Sequence, residues 1–174
     1  MKKILAILMA SAMCAVTAIS ASAATVDQTS SENVETSYTF EYKYDPVYTV
    51  SIPSSVELSK DGTQVEITAE NVNYLDNQKV SVTIAGTNYY RNQMVLDGNT
   101  TSGPKPSMRY QIILPDETVI ETTGGKNQVN GVEVASFTED GTATFTVKPV
   151  IAGNVKQGVT YSGTMTYAVG LAEV

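Results

Sequence analysis

The stretch "GVTYSGTMTYAVGL", residues 158–171, decides the fold. From Tyr161 onward the odd positions read Tyr161, Gly163, Met165, Tyr167, Val169 and Leu171, and the even ones Ser162, Thr164, Thr166, Ala168 and Gly170. A period of two marks a strand with one face turned to a core. Extended, the eleven residues from Tyr161 to Leu171 reach roughly 36 Å, enough to run the height of a sandwich. Burying five such side chains at about 1.5–3 kcal/mol each rivals the net stability of a whole domain. The strand therefore needs a lid, either its own core or that of a neighbouring copy. Gly163 interrupts the apolar face and marks a bulge or a close approach by the opposite sheet.

Working outward, the chain repeats short runs of the same kind. They cover Tyr38 to Tyr44, Val47 to Ile52, Gln64 to Ala69, Lys79 to Ala85, Gln93 to Leu96, Met108 to Leu114, Thr118 to Glu121, Val132 to Phe137 and Thr142 to Val147. Asp61-Gly62 and Asp140-Gly141 stand between alternating runs and read as hairpin turns, with Asp97-Gly98 as a third candidate. Only Asn71 to Gln78 has room for a helical turn. Strands at this spacing, all of one class, predict an all-β fold: an immunoglobulin-like antiparallel β-sandwich of two sheets with Greek-key connections, spanning residues 38–174.

The first residues read differently. Lys2 and Lys3 precede an apolar run from Ile4 to Ile19 and the small-residue site Ala21-Ser22-Ala23, the pattern of a signal peptide cut after Ala23. The only cysteine, Cys14, follows Met13 rather than the small residue that a lipoprotein signal requires. Residues 24–37, "ATVDQTSSENVETS", are small and polar and read as a flexible leader. Cleavage leaves a chain without cysteine, with 18 acidic residues against the basic ones that remain beyond Lys3. That balance argues against nucleic acid and anionic lipid as partners. The expected address is outside the cell or loosely on its surface, with no membrane attachment after cleavage.

Catalysis is poorly provided for. The sequence has no histidine, so neither Ser-His nor Cys-His nucleophilic arrangements exist after cleavage, and zinc loses its preferred ligands. Asp116-Glu117 and Glu139-Asp140 are adjacent carboxylates near turns, which ordinarily solvate a surface. Calcium is the metal that an acidic surface suits, but Asp61, Asp97 and Asp140 each precede Gly as turn formers do, and no calcium-loop pattern is present. The expectation is a protein that is not an enzyme, with no cofactor and no metal site.

The aromatics carry more information. Tyr38, Phe40, Tyr42 and Tyr44 alternate with Thr39, Glu41 and Lys43, so a strand there presents four rings on one face. Such a face is either an edge strand packed on the core or a contact surface, because Tyr offers a large, rigid, half-polar area. Tyr89-Tyr90-Arg91 and the Pro-containing loop from Asp97 to Ser107 form a second candidate. The alternating segment, carried on the polar leader, is also suited to completing the sheet of another copy by strand exchange.

"YTVSIPSSVEL" (Tyr48 to Leu58) and the closing stretch resemble small secreted β-sandwich proteins of Gram-positive bacteria, of the pilin-like, spore-coat-like and WxL-like kinds. The chain departs from these in lacking a cysteine pair, any tryptophan, an LPxTG-type sorting motif and an apolar C-terminal tail. The resemblance implies a surface-structure or adhesion role, with other surface proteins or glycans as partners. The alternative is a carbohydrate-binding module that uses the exposed tyrosines as a stacking platform.

Overall fold

The computed structural model of the protein describes residues 39–100, 103–123, 128–152 and 155–174. The segments expected as signal peptide and leader, with Cys14 and Tyr38, lie outside the described residues. Alternating sequence builds two antiparallel sheets. In the larger, β1 (Val47–Ser51) pairs with β2 (Thr63–Asn73), β2 with β8 (Gly141–Val150), and β8 with β5 (Ser107–Ile113). Beyond β5 come β4 (Val95–Gly98), then β9 (Tyr161–Ser162), while the short β6 (Val119–Ile120) pairs with the far end of β5. This seven-stranded sheet is curled. The smaller sheet has three strands in the order β10 (Met165–Glu173), β3 (Gln78–Thr87), β7 (Glu133–Phe137).

The core fills the space between them. Val65, Ile67 and Phe145 from the larger sheet meet Val80, Val82 and Ile84 from β3, with Ile112 and Met94 closing one side. Each such side chain contributes about 1.5–3 kcal/mol on leaving water. The closing strand lies where its alternation requires: Tyr167, Val169 and Leu171 pair with Ile84, Val82 and Val80, all on the inward face.

Several expectations from the sequence need correction. The segment expected as a strand from Tyr38 to Tyr44 is not one over its described part. Residues 39–46 carry no ladder and are mostly exposed. Pro46, which has no N–H to donate, stands directly before β1. The run ending at Ala69 continues instead to Asn73, because Asn71 takes φ 58° and Asn tolerates the left-handed region. The resulting bulge moves the buried phase from Ile67 and Ala69 to Val72, which hides the strand's second half from a period-two reading. The helical turn suggested for Asn71 to Gln78 is thus a strand end followed by a tight turn, in which Tyr74 and Asp76 also take positive φ.

The two Asp-Gly turns are not hairpins within a sheet. Asp140-Gly141 joins β7 in one sheet to β8 in the other, and Asp140 Oδ1 accepts the Val72 N–H at 2.7 Å. Asp61-Gly62 closes a turn ahead of β2, with Gly62 at φ 107° donating to Ser59 O, and no strand pairs with Thr63 from its other side. Asp97-Gly98 is the end of β4, not a turn between strands.

The closing stretch is also not one strand. It breaks at Gly163-Thr164, where the chain leaves β9 in the larger sheet and enters β10 in the smaller. A Cβ on Gly163 would meet Leu96 Cδ2 at 2.9 Å and Val95 O at 3.1 Å, so the close approach expected there is what excludes a side chain. Asn88 clamps the crossing: its Oδ1 accepts the Thr164 N–H at 2.8 Å and its own N–H donates to Thr164 O at 3.0 Å.

Candidate contact surfaces

The long axis of the molecule has two ends, defined by β3. At its start the β2–β3 turn carries Tyr74, and at its end Thr87 leads into the 3-10 turn Tyr90–Asn92. The candidate residues divide between these ends.

At the β2–β3 end, Tyr44 stacks on Tyr74 with centroids 4.7 Å apart and planes 20° from parallel, and Tyr42 meets Tyr44 edge-on at 5.2 Å. Phe40 and Tyr42 are 84% and 83% exposed, and Tyr44 and Tyr74 are 59% and 55%. Lys43 Nζ reaches Asp76 Oδ2 at 2.5 Å, and this hydrogen bond and the carboxylate charge raise its pKa. Ring stacking and ion pair together pin the segment at Lys43–Tyr44 to the turn. Tyr74 was not singled out by sequence, because neither alternation nor a motif marks it. Only its place in a turn brings it beneath Tyr44.

Tyr89, Tyr90 and Arg91 lie at the other end. Tyr90 is 71% exposed, and Arg91 Cζ sits 5.2 Å from its ring centroid, a cation–π contact that occupies one face of the ring. Arg91 and Asn92 both take positive φ, and Thr87 Oγ1 braces the turn by donating to Gln93 O at 2.8 Å. Of the loop from Asp97 to Ser107, residues 101–102 lie outside the described residues, and Gly98 N–H donates to Pro106 O at 2.7 Å across its base.

Near that same end is a feature the sequence did not show. The smaller sheet stops at β10, and beside its first residues the inner face of the larger sheet is left open as a groove of about 800 Å³. Met108, Tyr110 and Ile112 of β5 line it, with Met165 and Tyr167 on the β10 side and the segment from Ile52 to Leu58 along the rim. Tyr161 anchors the segment that leads into β9, its hydroxyl accepting the Lys156 N–H at 2.8 Å. Burial pushes the Tyr167 phenol up to about 12, and burial, with the neighbouring Tyr167, raises that of Tyr110. The groove thus combines apolar side chains and two neutral phenols with polar residues, among them Ser54, Ser55, Glu57 and Thr160.

The carboxylates serve turns. Asp116 accepts the Thr118 N–H at 3.0 Å, and the Thr118 amide and hydroxyl hold its carboxyl below the usual range. That is the opposite of what a general acid needs. Among the described residues no three His, Cys, Asp or Glu side chains converge as metal ligands, and no helix is long and apolar enough to cross a membrane. Comparison with family models, with curated proteins and with solved structures finds no match.

Proposed function

We propose that the protein is an exported, non-enzymatic component of a surface structure, of the adhesion type, working by contact and not by turnover. In this reading the two sheets form an immunoglobulin-like sandwich with Greek-key connections. The repeated crossings between sheets at β2–β3, β3–β4, β6–β7, β7–β8 and β9–β10 support that topology. The kinship to small secreted surface proteins of Gram-positive bacteria belongs to the same proposal.

One observation carries the reading: Tyr44 is in ring contact with both Tyr42 and Tyr74 while all three are more than half exposed, and Phe40, two residues from Tyr42, is exposed as well. Singly exposed apolar residues are ordinary, whereas a contiguous aromatic patch marks a contact surface. Protein partners suit it better than sugar rings, because Tyr44 already has one face against Tyr74, as Tyr90 has one against Arg91. The test is cell fractionation after Tyr42→Ser, Tyr44→Ser and Tyr74→Ser together. Release of the protein from the cell surface into the medium supports the reading, and unchanged retention refutes it.

A further inference from the structure

We infer that the edge of β10 and the groove beside it form an acceptor site for an added strand, and that its occupant is the segment Thr39–Lys43 of a second copy. The inference rests on the contact-module reading and deepens it by naming the partner. It begins with the sheet edges. The other terminal strands are short: β1 and β7 have five residues and β9 has two. β7 also begins with a charge, Glu133, held by Lys79 Nζ at 2.8 Å and by the Ser81 hydroxyl at 2.5 Å. β10 is nine residues long, and from Met165 to Ala172 it has neither a charged residue nor a proline. Proteins ordinarily blunt an edge with charge, proline or brevity, since an open edge is a template for pairing. β10 has none of these, and among the described residues its ladder runs to β3 alone.

The space beside that edge has Met108, Tyr110, Ile112, Met165 and Tyr167 facing it, as a core with one strand missing would, with Ser54, Ser55 and Glu57 also in its lining. A strand added alongside β10 would present alternate side chains to Met165, Tyr167, Met108 and Tyr110, and the others outward. Phe40 and Tyr42 alternate with Thr39, Glu41 and Lys43, which is the pattern required. The outward neighbours on β10 would be Thr166, Ala168 and Gly170, small and uncharged, so Glu41 and Lys43 meet no like charge there.

Reach selects the second copy. Tyr44, just beyond the donor segment, is stacked on Tyr74 at the β2–β3 turn, while Tyr167 stands level with Ile84, six residues along β3 from Gln78. At about 3.3 Å per residue that is roughly 20 Å. Phe40 is four residues from Tyr44, a reach of roughly 14 Å. The donor segment of one copy therefore falls short of its own groove. Donor and acceptor sit at opposite ends of the sandwich, so pairing is heterologous and head-to-tail, and it propagates into filaments or closes into rings.

The test uses two complementary variants of the purified protein. Phe40→Ser with Tyr42→Ser removes the donor while leaving the acceptor. Ala168→Lys with Gly170→Lys charges the acceptor edge; a Cβ at Gly170 meets nothing within 4 Å and Ala168 is exposed. Unchanged far-ultraviolet circular dichroism and melting establish that each folds; if the lysine pair does not, Ala168→Lys alone takes its place. The wild type is expected to sediment as dimers and longer species, each variant alone as a monomer, and their mixture as a one-to-one dimer that grows no further. A monomeric wild type, or a mixture that stays monomeric, overturns the inference. So does a monomer whose β10 amides exchange slowly and lose that protection in the donor variant, which would place the strand of the same copy there. Retention on cells without assembly sinks this inference alone, and assembly without retention sinks the adhesion reading alone.

Discussion

β3 and β10 are paired neighbours, each apolar on its inward face, yet they differ in how they are covered. Val80, Val82 and Ile84 of β3 are completely buried, whereas Tyr167, Val169 and Leu171, directly opposite, stay partly exposed. The difference lies in position and not in composition. β3 has a strand on each side and the larger sheet beneath, while β10 ends its sheet over a face that continues past it. A strand's sequence specifies which side is apolar, and its neighbours decide how completely that side is covered.

The strongest way to break this comparison is to truncate one inward residue on each strand. Ile84→Ala should cost about 2–5 kcal/mol, the range for removing a fully buried branched side chain. Val169→Ala, on the half-covered strand, should cost less than half as much in denaturant titration. Equal losses would mean that β10 is as fully enclosed as β3. Alkaline titration probes the same boundary. The folded chain holds the Tyr167 phenol at about 12 and that of Tyr110 above its ordinary value, while the unfolded chain releases both protons near pH 10. Stability is thus fully present below about pH 10 and declines as pH rises through the folded values, at about 1.4 kcal/mol per pH unit for each phenol. Melting temperature followed from pH 9 to 12 reads this out, and Tyr167→Phe should flatten the decline.

Gly163→Ala sharpens the comparison at the point where β9 gives way to β10. The added methyl group meets Leu96 and the Val95 carbonyl, and overpacking of that kind costs about 1–3 kcal/mol. An unchanged midpoint would show that the crossing can yield. The smallest effect belongs to the opposite edge. Burial raises the Glu133 pKa, but hydrogen bonds from Lys79, Ser81 and Ser136 and the Lys79 charge outweigh it and leave the carboxyl below its usual value. Its contribution is present above the unfolded carboxylate range and fades as pH falls through the folded value. Glu133→Gln should cost about 0.2–1 kcal/mol at neutral pH, as partly exposed pairs do, and should weaken the acid sensitivity of melting.

Much of this fold is legible in sequence wherever alternation runs unbroken, as from Lys79 to Ala85 and from Met108 to Leu114. It fails where a single residue resets the phase. Asn71 in a left-handed conformation conceals the second half of β2, and Gly163 conceals a change of sheet within a continuous apolar pattern. The aromatic segment was legible as a pattern and not as a conformation: Phe40, Tyr42 and Tyr44 alternate, but among the described residues they form no strand. Tyr74 and the groove were beyond reach for a common reason. Each depends on which distant segments become neighbours, and periodicity within one segment has no information on that.

β8 has the central place in the larger sheet, bonded to β2 on one flank and to β5 on the other. Because it comes from residues 141–150, a chain made from its first residue onward carries β1 with β2, and β5 with β4 and β6, as separate pieces with open edges until most of its length has emerged. Closure then joins partners far apart along the polymer, which makes for slow maturation. During that delay the open edges of β2 and β5 are exposed to aggregation.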